Sequence, residues 1–128
     1  MRQIALTLAL LAVPSVASGV PIEGKWTNPK DSVIVDVRPC GAATWCGKVS
    51  WASAKAKRKS DGRMAVGTQI LTGLRADGRG GYKGQAYVPR HRVRTTATVR
   101  QAGNDTLIVK GCTLGGLICK SERWTRVR

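Results

Sequence analysis

The chain has no phenylalanine, one histidine (His91) and seven acidic residues against 22 lysines and arginines. Each shortage narrows what the protein can be. Without phenylalanine, the large apolar anchors are confined to Trp26, Trp45, Trp51, Trp124, Tyr82 and Tyr87, with Val, Ile and Leu filling between them. A single histidine leaves little for a histidine-rich metal site or a histidine-based triad. It also sits in Arg90-His91-Arg92, where neighbouring positive charge opposes its protonation and no Ser or Asp motif frames it. The acids Glu23, Asp31, Asp36, Asp61, Asp77, Asp105 and Glu122 are scattered, so no catalytic carboxylate pair is evident. A phosphate-cradling loop, a nucleophile elbow and a metal triad are all missing. An enzyme is therefore the weaker reading, and no cofactor or metal is expected.

Long apolar runs are also missing. The longest stretch, Ile4 to Val13, is about ten residues, where a bilayer-spanning helix needs roughly twenty. Arg2 precedes this run, and Pro14 and Ser15-Val16-Ala17 follow it, which is the layout of a secretory signal peptide cleaved after Ala17. Cleavage after Ser18 or Gly19 reads nearly as well. We expect residues 1–17 to be the signal and residues 18–128 to form one domain, periplasmic or extracellular, with no transmembrane segment once the signal is removed.

Helical periodicity is nearly absent from the remainder. Short alternating segments are broken instead by Gly, Pro, Asn and Asp. Val33, Val35 and Val37 share one face of a strand over Ser32 to Arg38, and Val49 and Trp51 are expected to share a face over Gly47 to Ala52. Ser53 to Arg63 reads as a polar, basic connection. Further strands are predicted at Gly24 to Thr27, Thr68 to Arg75, Tyr82 to Val88, Val93 to Gln101, Asp105 to Gly111 and Ile118 to Val127. Within them Tyr82, Gly84, Ala86 and Val88 oppose Lys83, Gln85 and Tyr87, while Val93, Thr95, Ala97 and Val99 face inward and leave Arg92, Arg94 and Arg100 in solvent. About eight strands joined by short turns imply antiparallel neighbours. They are enough for a closed up-and-down barrel of the lipocalin or streptavidin kind, with a two-sheet sandwich as the main competitor.

Four cysteines, Cys40, Cys46, Cys112 and Cys119, allow three pairings. Structural zinc sites usually separate two cysteines by two to four residues, whereas five lie between Cys40 and Cys46 and six between Cys112 and Cys119. An oxidising compartment favours disulfides instead. Loop entropy ranks a Cys40 to Cys112 bridge at roughly 4.4 kcal/mol against roughly 2.5 for each local bridge. Each local pair, however, brackets a glycine-containing segment that can turn the chain back so that the sulfurs meet. Two disulfides, Cys40 with Cys46 and Cys112 with Cys119, are therefore expected. Nothing surrounds any of the four that would make a redox-active thiolate.

Reading Cys40-Gly41 through Cys46-Gly47-Lys48-Val49-Ser50-Trp51, then Tyr87-Val88-Pro89, Lys110-Gly111-Cys112-Thr113-Leu114-Gly115-Gly116-Leu117-Ile118-Cys119 and Trp124-Thr125-Arg126, the chain resembles the exported bacterial family called domain of unknown function 2147. The resemblance runs from Gly24-Lys25-Trp26 to Arg126. It implies a small lipocalin-like or streptavidin-like β-barrel in the periplasm or outside the cell, and no established reaction.

Three functions follow as expectations. The first is a noncatalytic envelope protein holding a small apolar or amphipathic ligand in the barrel mouth, with Trp26, Trp51, Tyr87 and Trp124 near the pocket. The second uses the formal net charge of +15. Its candidate anion-binding residues are Lys55, Lys57, Arg58 and Lys59 in one cluster and Arg90, Arg92, Arg94 and Arg100 in another. Outside the cytoplasm these would meet anionic lipid or envelope polymers, and no nucleic-acid partner is expected. The third, a hydrolase of an envelope polymer, requires acids to converge in a cleft. The leader reading has a direct check: the intact mass of the protein recovered from its host envelope should correspond to a chain beginning near Ser18. A mass that retains Met1 would refute it.

Overall fold

Strand alternation with one apolar face becomes a sealed structure only if the sheet has no free edge, and this chain achieves that by closing on itself. A computed structural model describes residues 21–113 and 116–128. The segment read as a signal, 1–17, lies outside the described residues. The strands are β1 (Gly24–Thr27), β2 (Val33–Gly41), β3 (Thr44–Ala52), β4 (Gln69–Ala76), β5 (Gly81–Val88), β6 (Val93–Gln101), β7 (Thr106–Thr113) and β8 (Ile118–Arg126). Each pairs antiparallel with the next, and β8 returns to β1, so the eight strands form a closed barrel rather than a sandwich. Closure removes the unpaired edges that would template aggregation.

The seam between β1 and β8 is short, with two register pairs, Trp26 with Arg126 and Thr27 with Thr125. Side chains reinforce it. The Arg126 guanidinium lies 4.2 Å from the centroid of the Trp26 ring. It also donates hydrogen bonds to the carbonyls of Asn104 (2.8 Å), Glu23 (2.9 Å) and Pro21 (3.1 Å). Gly24 is required where that guanidinium passes, since its φ is +134° and a Cβ there would stand 2.7 Å from Arg126 Nη1. Trp26 is fully buried, and its indole N–H donates to the Ile22 carbonyl at 2.9 Å. Ile22, itself fully buried, caps this end of the barrel.

The core runs from this end along the barrel to Val33, Ala52 and Ile70. Trp26, Val37, Val49, Leu71, Leu74, Val99 and Leu107 are all essentially inaccessible, and Tyr82 and Trp45 pack against them. Alternation predicts most of this face correctly, with one correction. Ile34 pairs with Trp51 while Val35 pairs with Val49, so Ser50 is an extra residue in β3. This β-bulge reverses the alternation. Val49 and Ala52 point inward, whereas Trp51 is on the outer wall and 46% exposed. At Gly84 the backbones of β4 and β5 approach so closely that a Cβ would sit 2.6 Å from the Thr72 carbonyl oxygen.

The stretch Ser53 to Arg63 is not merely a connection. It contains a short helix, α1 (Ala54–Lys59), capped by Ser53, whose side chain accepts from the Ala56 N–H at 3.1 Å. Ser60 closes it from a buried position, donating to the Lys57 carbonyl (3.1 Å) and accepting from the Met64 N–H (2.9 Å). Six residues are fewer than two turns, too few to show a 3.6-residue period in the sequence.

Both local disulfides are present. Cys40–Cys46 spans the β2–β3 hairpin with a Cα separation of 5.7 Å, and Cys112–Cys119 joins directly opposed residues of β7 and β8 at 4.1 Å. They brace opposite ends of the barrel, which rules out the Cys40 to Cys112 alternative. Arg126→Ala is expected to lower unfolding free energy by about 2–3 kcal/mol in a urea titration, because it removes three charge-assisted hydrogen bonds and a cation–π contact. Arg128→Ala, which removes an exposed pair with Asp105, should cost at most about 1 kcal/mol. Equal losses would show that the seam does not depend on Arg126.

Candidate ligand-binding mouth

The two ends of the barrel differ in what fills them. Toward the Ile22 end, large side chains meet across the interior. Toward the α1 end, the inward positions of β5, β6 and β7 are small. Ala86 pairs with Thr95, and a Cβ on Gly111 would lie 3.0 Å from Thr95 Oγ1. Thr95 is only 8% exposed, and its buried Oγ1 has no hydrogen-bond partner. Of these residues Thr95 stands beside the smaller of two openings at this end, between β6 and β7.

The larger opening, a cavity of about 670 Å³, lies between α1 and the neighbouring β1–β2 and β5–β6 turns. Its walls are the β1–β2 turn from Asn28 to Val33, the α1 residues Lys55, Ala56 and Lys59 with Ser60 and Met64 after them, Arg90 from the β5–β6 turn, and Glu122 from β8. Local chemistry holds each wall. Asn28 Oδ1 accepts from the Ser32 (2.8 Å) and Val33 (3.1 Å) amides, fixing the β1–β2 turn. Arg63 Nε donates to the Pro89 carbonyl at 2.9 Å, tying the segment after α1 to the β5–β6 turn. Ala56 and Met64 pack against the core. Glu122 shares the inward face of β8 with Trp124, whose indole N–H donates to Glu122 Oε2 at 2.9 Å.

The cavity rim is strongly cationic. Lys59 is held below the usual lysine range, first by Lys55, then by Lys30, by partial desolvation and by Arg90. Four cations and two carboxylates, Asp31 and Glu122, line the cavity. Among the described residues the ion pairs are Arg38 with Glu23 and Asp36, Arg63 with Asp61, and Arg128 with Asp105. None involves the rim. A second opening of about 590 Å³ lies beside Val93 to Thr96, Cys112, Thr113 and Gly116.

The structure separates residues that the sequence grouped. Of the four aromatics considered for a pocket, Trp26 is buried at the Ile22 end, Trp124 is buried and bonded to Glu122, and Trp51 is outside the wall. Tyr87 also faces outward, with the Arg94 guanidinium 5.4 Å from its ring centroid. They do not converge, and none lines either cavity. Of the basic residues, Lys55, Lys59 and Arg90 meet at the larger cavity, whereas Lys57 and Arg58 do not line it. Arg92 occupies the β5–β6 turn with φ +54°. Arg100 is at the opposite end, where its charge adds to the Arg79 and Gly81 amide hydrogen bonds that hold Asp77 below the usual carboxylate range. Lys30, Ser60, Met64 and Glu122 were not anticipated. Only Glu122 carried a signal, its two-residue spacing from Trp124.

A closed eight-stranded antiparallel barrel with consecutive strands paired is a lipocalin-like barrel. The chain belongs to the bacterial family described as "Uncharacterized protein conserved in bacteria (DUF2147)", which it matches over residues 24–126. A similar solved structure is described as "Protein HP1028 from the human pathogen Helicobacter pylori belongs to the lipocalin family". The two superpose with a TM-score of 0.64 at 16% identity, over 85% of this chain and 84% of that one. No curated protein matches the chain.

Arg63 is the one hydrogen-bonded strap between the α1 segment and the opposite rim among the described residues. Arg63→Ala should speed hydrogen exchange at the Lys57 and Gly62 amides by about tenfold, a loss of about 1.4 kcal/mol in local opening free energy. Amides of Val37 and Val99 should be unaffected. Unchanged exchange at α1 would mean that Met64 and Ala56 hold the helix without the strap.

Proposed function

We propose that this protein is an exported, noncatalytic binding barrel of the cell envelope, periplasmic or extracellular, that takes a small apolar or amphipathic ligand at its α1 end. The observation that carries this reading is the cavity of about 670 Å³ under α1. That volume falls within the range of small-molecule sites, roughly 300–1,000 Å³. Its floor is apolar where Val33, Ala56 and Met64 reach it, and its rim is polar. Such a division suits a molecule with a tail and a head.

Export is supported by the leader-like residues 1–17 and by two disulfides, which persist in oxidising compartments. Among the described residues no helix is long and apolar enough to cross a membrane. The lipocalin-like architecture supports the same reading, since barrels of this size hold either side chains or one small ligand.

Native mass spectrometry of protein purified from its own host tests the proposal. A noncovalent adduct of small-molecule mass is expected, or retention of a long-chain alcohol, amine or acid after incubation with each. A bare mass in every case would overturn it.

A further inference from the structure

The cations on the cavity rim come from three separate parts of the chain: Lys30 from the β1–β2 turn, Lys55 and Lys59 from α1, and Arg90 from the β5–β6 turn. Lys55 and Lys59 are four residues apart and so lie one above the other on a single helix face. None of the four is in an ion pair among the described residues. Folding gathers them against mutual repulsion. The lowered Lys59 pKa, caused first by Lys55 and then by Lys30, registers that repulsion. The two carboxylates on the same cavity, Glu122, which accepts from the Trp124 indole, and Asp31, which accepts from Thr27 Oγ1, offset only two of the four cations.

We infer that the site binds an amphiphile with an anionic head, a carboxylate or phosphate, seated between Lys30, Lys55, Lys59 and Arg90, with its apolar tail directed toward Val33, Ala56 and Met64. This rests on the small-ligand reading and makes it specific. A head with one or two negative charges would balance the excess of two cations over the carboxylates lining the cavity. It would bring together opposite charges that the protein alone leaves apart. The lysines and the arginine provide donors without acceptors, so a hydroxyl or amine head would find no equivalent advantage. Separation of the two sets of basic residues on α1 gives an internal control. Lys57 and Arg58 carry the same charge on the same short helix but do not line the cavity.

Binding of dodecanoate, dodecyl phosphate, dodecanol and inorganic phosphate to the full mature protein, measured below micelle formation, tests the inference. Wild type should bind the two anionic amphiphiles at least about tenfold more tightly than dodecanol, with the difference shrinking as salt is raised. The double variant Lys55→Gln/Lys59→Gln should lose about tenfold for the anionic amphiphiles and keep its affinity for dodecanol, while Lys57→Gln/Arg58→Gln should lose neither. Retained dodecanol binding also shows that the variants are folded. Equal binding of acid and alcohol by wild type, or equal losses in the two double variants, would overturn the anionic head while leaving small-ligand binding intact. Inorganic phosphate binding as tightly as dodecyl phosphate would overturn the amphiphile in favour of a free anion. Binding of none of the four would overturn both readings.

Discussion

Closure of β8 onto β1 is the constraint on which the rest of the molecule depends. A barrel is only as secure as its last seam, and here that seam has two register pairs, fewer than any other strand pair. The Trp26 ring and the Arg126 guanidinium compensate. The guanidinium stacks on one face of a buried ring and ties together three carbonyls, two before β1 and one in the β6–β7 turn. A planar cation with five fixed donors can do this, whereas a lysine ammonium could not satisfy the same spread of acceptors while lying flat on the indole. Gly24 then follows as a necessity, because any side chain there would occupy the path of the guanidinium.

A firmly filled end leaves the other end free to differ. Large residues close the Ile22 end, and at the α1 end a cavity lies between the helix and the β1–β2 and β5–β6 turns. The same asymmetry applies to charge. Positive residues are spread along the whole sequence, but only some reach the mouth, where Lys30, Lys55, Lys59 and Arg90 surround a cavity with an apolar floor. Many of the others are exposed on the outer wall, where solvent screens them.

Strand count, antiparallel order and the local cysteine pairing could all be read directly from the chain. Each rests on information within ten or so consecutive residues: a period of two, a glycine-bearing turn, a short loop between cysteines. Trp51 shows where such reading fails. Its alternation with Val49 was clear, but a single bulged residue, Ser50, reversed its direction, and a bulge is set by pairing with β2 rather than by β3 itself. The helix α1 escaped for a related reason. Its stability comes from Ser53 and Ser60 capping and from Ala56 and Met64 packing on the barrel, not from a periodic sequence of its own.

What the sequence determined by itself, then, is the material of a small disulfide-stapled β-barrel, because alternation, turns and short cysteine loops are local properties. Tertiary structure alone decided which end is open and which residues meet there. Lys30, Lys59, Arg90 and Glu122 span more than ninety positions of the chain, and only the closing of eight strands brings them to one rim. It likewise turned four expected pocket aromatics into a seam, a core residue and two features of the outer wall. Long-range proximity depends on register and closure, which no short stretch of sequence encodes.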